Sequence, residues 1–342
     1  MELYLDSVDF KEIEAAFQLG FVKALTTTPT FMHRHGITDI QGAIVKLSGM
    51  VPDLHVEALG RTHDEIVAAA EEILALPLKL KPVFKVPVGL EALRACNTLT
   101  RRGNRVNVHL VYSLNQAYMA MEAGAAFVCP LAGRMHDQGQ DANRLFEQCA
   151  EVKARYGYGT KIMYSSVRHP EHVRSALLAG ADVCTVPWSV MQRLCDHALT
   201  ELGTSQFFEH TTLMTVHVRE ALGTGTKAIC GVSEPVSQAL VRMTESRLGA
   251  VALVDAAGKL AGVFTDGDLR RDLQKDGPGI LGKPLSQIGH GARPLTISAD
   301  ALLYEAAQFF QKHKVDNVVV VEADRPVGLL DVQDLVRMGL LG

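Results

Sequence analysis

The 342-residue chain predicts a (β/α)8 barrel followed by a smaller α+β module. Three observations point there. Over about the first 195 residues, eight short apolar runs alternate with longer amphipathic or Ala-rich segments, which suits a closed barrel of strand–helix units. No Gly-rich dinucleotide fingerprint follows the first run, which disfavours an open doubly wound sheet. Beyond Gly223-Thr224-Gly225-Thr226 the rhythm changes to pairs of short strands, the mark of a second domain.

The eight runs are Glu2–Asp6, Phe21–Leu25, Asp53–Glu57, Pro82–Val86, Arg105–His109, Ala126–Cys129, Lys161–Tyr164 and Asp182–Val186. Helical periodicity between them is clear at Thr62–Leu76, where Ile66, Ala69, Ala70 and Ile73 share a face, and at Leu114–Ala123, closed by Gly124. After Trp188–Glu201 comes a stretch rich in Thr, His and Phe, Gly203–Thr215, and then a short helix over Val216–Ala221. The Gly/Thr segment at 223–226 reads as a flexible linker. Two strand pairs follow, Gly249–Asp255 with Leu260–Thr265 and Asn317–Glu322 with Pro326–Asp331. Each runs into a helix start of the form Gly-x-x-x-x-x-Asp, Gly262 to Asp268 and Gly328 to Asp334, an internal repeat of about sixty residues.

Composition excludes several classes. Lys and Arg number 34 against 38 Asp and Glu, a formal charge of -4 without long blocks of either sign, so nucleic acid is not the expected partner. No apolar stretch is long enough to cross a bilayer and the start shows no signal-peptide pattern, so a soluble cytoplasmic protein without a membrane partner is expected. The six cysteines form no C-x-x-C pair, and buried free thiols are expected rather than disulfides or a zinc site. No metal and no catalytic cofactor is called for.

Within Val83-Phe84-Lys85-Val86-Pro87-Val88, Lys85 is the anomaly, because a lysine is rarely placed in a buried parallel strand. Desolvation disfavours an ammonium, and a neutral amine attacks carbonyls to form a Schiff base. On this run alone, a stem that snorkels to water fits equally well. In a barrel the chemistry gathers at the C-terminal strand ends, and polar residues fall there repeatedly. Asp6 ends the first strand, Thr26 to Thr28 follow the second, Glu57 ends the third, and Asn107 and His109 share a face of the fifth. Arg134 follows the sixth, and Ser166 and Arg168 the seventh.

Five motifs carry a resemblance over about residues 1–215: Leu3-Tyr4-Leu5-Asp6-Ser7, Leu25-Thr26-Thr27-Thr28-Pro29-Thr30, Val83–Val88, Pro130-Leu131-Ala132-Gly133-Arg134 and Tyr164-Ser165-Ser166-Val167-Arg168. In order and spacing this half resembles the small transaldolase family, which includes fructose-6-phosphate aldolase. The resemblance implies that Lys85 forms a Schiff base with a ketose, and that Asp6 exchanges a proton with the C4 hydroxyl as the C3–C4 bond breaks. It also implies that Glu57 handles the protons of carbinolamine formation and that Asn107 holds the dihydroxyacetone portion. Thr26 and Thr28 would border the substrate, while Arg134, Ser166 and Arg168 would clamp its phosphate. Taken alone, both arginines also fit surface ion pairs; their place in matched motifs favours the clamp.

Departures accompany these matches. Thr28 stands where the family usually has the Asn that binds the donor end, His109 where a Thr is common, and Leu131 where an aromatic residue is common. Glu57 is the transaldolase-like choice, Gln being usual in fructose-6-phosphate aldolases. A changed substrate or reaction is therefore expected. His109 reads either as a second general acid/base or as a polar filler bonded to Thr28.

The repeat motifs around Gly262–Arg271 and Arg325–Leu335 resemble a tandem CBS (Bateman) pair, similar to the one attached to arabinose-5-phosphate isomerases. The resemblance implies a regulatory nucleotide or sugar nucleotide, with Thr265 meeting phosphate and Asp268 ribose, and Asp334 the corresponding position of the second repeat. Asp331 stands where the second Thr would be and repels phosphate, so one site is expected rather than two. The expected organisation is a barrel over 1–215, a linker over 216–231 and the CBS pair over 232–342, assembled as a homo-oligomer. The expected activity is a Schiff-base transaldolase or aldolase on a phosphorylated sugar. An inactive sugar-phosphate sensor and a sugar-phosphate isomerase are the alternatives.

Overall fold

The structure is a computed structural model that describes residues 1–288 and 294–340. Eight parallel strands close into a barrel: β1 (Glu2–Asp6), β2 (Leu25–Thr26), β3 (Leu54–Glu57), β4 (Val83–Pro87), β5 (Arg105–Val111), β6 (Phe127–Pro130), β7 (Lys161–Tyr164) and β8 (Val183–Val186), with β8 pairing back onto β1. The outward face of each strand is apolar because the surrounding helices cover it. Leu5, Leu25, Leu54, Phe84, Val106, Val128, Ile162 and Cys184 point outward into the helix layer and are fully buried.

Strand alternation sends the other residues inward in tiers. The lowest is ionic: Arg105 forks onto both oxygens of Asp53 at 2.8 Å, and Lys161 meets Glu2 at 2.7 Å. Above it Tyr4, His55 and Phe127 pack edge to face, with ring centroids 4.8 to 6.3 Å apart, beside Val83, Met163 and Val183. This aromatic plug makes the barrel a packed core with a closed floor. The chemistry-bearing side chains stand on it.

Helix starts follow their sequence signals. Thr62 and Glu65 form a reciprocal capping box at the helix His63–Leu74, and Asp9 caps Phe10–Gln18 through two backbone N–H groups.

The chain divides into two compact units, residues 1–196 and 197–342. In the second, β9 (Ile229–Gly231), β10 (Ala250–Val254) and β11 (Leu260–Thr265) form one sheet, and β12 (Thr296–Ser298), β13 (Asn317–Glu322) and β14 (Arg325–Asp331) another. In both sheets a parallel first pair is followed by an antiparallel hairpin, which is the repeat read from the sequence.

Two expectations about the junction need correction. Residues 198–215, assigned above to the barrel, form one helix, Ala198–Thr215, that packs on Leu303–His313 and sends Leu213 into the core of the second repeat. The Gly/Thr segment is likewise no free linker. It is a 3-10 turn, Gly223–Lys227, whose Thr224 hydroxyl donates to the Ser246 carbonyl. A Cβ on Gly225 would stand 2.0 Å from the Leu329 carbonyl oxygen, so the glycine permits close packing rather than freedom.

Five of the six cysteines are buried free thiols, as expected, but Cys195 is exposed. Among the described residues no helix is long and apolar enough to cross a membrane, and no group of His, Cys, Asp and Glu is placed to hold a metal ion.

Candidate active site

At the C-terminal mouth of the barrel lies a cavity of about 570 Å³ that Asp6, Glu57, Lys85, His109, Arg134 and Arg168 all border. Lys85 rises from β4 with only 6% of its side chain exposed. Its Nζ donates to the Thr27 carbonyl at 2.7 Å and lies 3.9 Å from Glu57 Oε2. The snorkelling alternative is thereby excluded, because the amine ends inside the cavity rather than in bulk water.

Glu57 reaches two partners. Its Oε1 meets His109 Nε2 at 2.5 Å, while its buried Oε2 has no hydrogen-bond partner and faces the amine. His109 therefore bonds Glu57, not Thr28. The Thr28 hydroxyl instead accepts from the Phe31 N–H and starts the helix Pro29–Arg34.

On the other side of the amine, Asp6 Oδ1 accepts from the Thr26 hydroxyl at 2.8 Å, and Thr26 Oγ1 also lies 2.6 Å from Thr185 Oγ1. Burial raises the Asp6 carboxyl above the usual aspartate range, and the nearby Lys85 charge and the Thr26 hydrogen bond offset this only in part. Thr26 borders the cavity, but its hydroxyl is engaged in holding Asp6.

Asn107 is the one expected substrate contact that does not border the cavity. It is fully buried among the plug residues, with Nδ2 3.2 Å from His55 Nδ1 and 3.5 Å from Met163 Sδ. The reason is side-chain length. Lys85 and Asn107 are register partners, so their Cα atoms lie at one level; the lysine stem climbs to the cavity whereas the amide stays below. His109, two residues further along β5, reaches the level that Asn107 does not.

The β6 and β7 ends approach closely. Gly133 makes this possible, since a Cβ there would stand 1.8 Å from the Ser166 carbonyl oxygen. Ser166 itself sits in the left-handed region at φ 61°. Arg168 pairs with Asp137 at 3.1 Å, whereas Arg134 has no ion pair among the described residues. Beneath this corner His172 Nδ1 accepts from the Arg168 N–H at 3.3 Å, and its Nε2 lies 3.0 Å from His136 Nδ1. Burial, then the neighbouring His169, His136 and Arg168, hold His172 down at about 4. It is neutral, and its Nε2–H donates to His136.

Several residues that border the cavity or lie in the plug beneath it were not singled out from the sequence. His55 precedes Glu57 by two residues on the same inward face, a signal available from alternation. Burial, then Lys85 and Arg105, push it far below its ordinary value. Arg34 borders the cavity from the short helix after β2, and Leu110 from a bulge in β5 where φ is 57° and the register to β6 shifts. A bulge and a helix orientation leave no periodic trace in sequence.

A model of the transaldolase/fructose-6-phosphate aldolase family matches residues 3–229. The chain belongs to this family. CBS-domain models match residues 226–275 and 288–340. A protein named probable transaldolase from Geobacter metallireducens is 36% identical over 210 residues, 61% of this chain and 97% of the relative. Another of that name, from Carboxydothermus hydrogenoformans, is 34% identical over 208 residues, 60% of this chain and 96% of the relative. Among solved structures, a putative acetoin utilization protein from Vibrio cholerae is similar at 25% identity and TM-score 0.33, covering 36% of this chain and 90% of that one.

In this transaldolase-family chain the CBS residues expected to meet a nucleotide are engaged locally. Asp268 accepts from the Thr265 N–H at 2.9 Å and hydroxyl at 2.7 Å, and pairs with Arg271 at 2.5 Å. Asp334 accepts from the Asp331 N–H and pairs with Arg337, both at 3.1 Å. Burial first, then the neighbouring Asp334 and Asp316 charges, raises the Asp331 carboxyl. A cavity of about 800 Å³ in this unit is lined by Tyr304, Gln308, Gln311, Lys314 and Asp316 among others, and not by Thr265, Asp268 or Asp334.

Proposed function

We propose that this transaldolase-type enzyme forms a Schiff base between Lys85 and the carbonyl carbon of a phosphorylated ketose. The observation that carries the reading is the buried amine set 3.9 Å from the free oxygen of Glu57, with Asp6 bordering the same cavity. Lys85 Nζ adds to C2, and the carbonyl oxygen takes up a proton. Glu57, backed by His109, supplies protons to that oxygen until it leaves as water and the iminium remains.

Asp6 then takes the C4 hydroxyl proton. The C3–C4 bond breaks, its electron pair flows into the iminium to give an enamine, and a phosphorylated aldehyde departs. Protonation and hydrolysis of the enamine complete an aldolase cycle; addition to a second aldehyde, followed by hydrolysis of the iminium so formed, completes a transaldolase cycle and frees the Lys85 amine. Arg134, Ser166 and Arg168 hold the phosphate of the aldehyde portion. The CBS pair tunes this activity through a nucleotide at the first repeat, where Thr265 stands in place of the repelling Asp331.

Borohydride reduction in the presence of dihydroxyacetone or fructose 6-phosphate tests the reading. The expected result is a mass increment on the Lys85 peptide that Lys85→Met abolishes together with turnover. Turnover that survives in Lys85→Met, or reduction that leaves Lys85 unmodified with every sugar phosphate offered, overturns it.

A further inference from the structure

The cavity has cationic groups on opposite sides. In a closed eight-stranded barrel, strands four apart in order face each other across the axis, so the helix after β2 and the helix after β6 stand on opposing rims. Arg34 lies on the first, Pro29–Arg34, and Arg134 on the second, Ala132–Asp137, and both border the cavity. Neither guanidinium has a hydrogen bond or ion pair among the described residues, whereas Arg168 beside Arg134 is already paired with Asp137. Lys85 rises from β4, a quarter-turn from each rim.

A substrate that bonds to Lys85 through C2 and sends a phosphate at its far end to Arg134 extends only one other atom from C2, namely C1, toward the opposite rim. On that rim the Thr28 hydroxyl serves as a helix cap, so the charged group left to meet C1 is Arg34.

We propose that the enzyme acts on ketoses that are anionic at both ends, and that Arg34 recognises the anionic group on C1, a phosphate or a carboxylate. This rests on the Schiff-base reading for the position of C2. An unpaired guanidinium facing an anion forms charge-assisted, forked hydrogen bonds, which discriminate strongly against the neutral hydroxymethyl end.

The test is calorimetric binding to Lys85→Met, which holds ligand without turnover. The probes are fructose 6-phosphate, fructose 1,6-bisphosphate and 2-keto-3-deoxy-6-phosphogluconate. At least one C1-anionic ligand is expected to bind about tenfold or more tighter than fructose 6-phosphate, and the added change Arg34→Gln to remove most of that preference. Which of the two binds tighter identifies phosphate or carboxylate. Arg144→Gln, on the exposed face of the helix Ala142–Tyr156, is the control for a general loss of positive charge. A ratio near one with Arg34 present, or an equal ratio after Arg34→Gln, overturns the inference. Borohydride trapping on the unmodified enzyme is read separately: trapping with fructose 6-phosphate alongside a failed binding ratio sinks the C1 assignment alone, whereas absent trapping sinks the Schiff-base reading.

Discussion

At the scale of single residues the site is a set of paired constraints on protons. Glu57 is held by His109 at one oxygen and faces Lys85 with the other, so it is positioned to move protons only at the amine side of the cavity. Glu57→Gln is expected to lower kcat by about 10²- to 10⁴-fold with little change in folding, checked by steady-state kinetics and circular dichroism. In the proposed mechanism Asp6 acts as a base, so activity is expected to fall as pH drops through its raised pKa. Thr26→Val removes the hydrogen bond that favours the carboxylate, and the acid limb of kcat/KM is expected to move to higher pH; an unmoved limb would show that Asp6 does not set it.

His172 gives a stability prediction of defined sign. Its folded-state value of about 4 lies below the ordinary 6.5, so the unfolded chain binds more protons in between. Stability is expected to be full above about pH 6.5 and to fall toward pH 4, by up to roughly 3 kcal/mol. Urea unfolding between pH 7.5 and 4.5 checks this, and His172→Gln should flatten the profile.

At the scale of elements, two glycines carry the close approaches that periodicity does not reveal. Gly133→Ala would drive a Cβ into the Ser166 backbone and displace the corner that holds Ser166, Arg168 and Arg134. KM for a phosphorylated ketose is expected to rise about tenfold, while kcat for an unphosphorylated one changes less. Gly225→Ala meets the Leu329 carbonyl and should destabilise the second unit by roughly 1–3 kcal/mol, read as an earlier urea transition.

The strands were legible because each run is apolar and short. Their ends shifted where hydrogen bonding rather than hydropathy draws the boundary. The second run was expected at 21–25 but is a strand only at Leu25–Thr26, with Phe21 largely exposed and Lys23 already bonded to the Leu3 carbonyl. The helix Ala198–Thr215 was not expected, because its apolar residues lack a stripe: Leu199, Phe207 and Phe208 are exposed and Leu213 alone is buried.

For the whole molecule, a family barrel and a CBS pair in one chain make regulation the question that neither part answers alone. Coupling requires a nucleotide whose affinity differs between two states of the enzyme, and it must be reciprocal. Calorimetry with a panel of adenine and sugar nucleotides, with and without a saturating ketose phosphate, is expected to show affinities that differ by about 5- to 150-fold for the regulatory ligand. Equal affinities would assign the pair to assembly instead. Thr265→Asp places in the first repeat the carboxylate that the second already has, and should abolish nucleotide binding.

The residue string alone determined the architecture, since eight short buried runs with polar ends specify a barrel mouth by local pattern. Lys85, Asp6 and Glu57 as the expected reacting groups came from the resemblance of whole motifs to the transaldolase family, because the run around Lys85 by itself fits a snorkelling stem equally well. Which polar residues reach the cavity depended on the closed barrel. Asn107 stays in the plug because its side chain is short, His109 joins Glu57 because neighbouring strands set their level, and Arg34 faces Arg134 because the second and sixth strands oppose each other. These are consequences of closure and side-chain reach, and neither is written in a linear pattern.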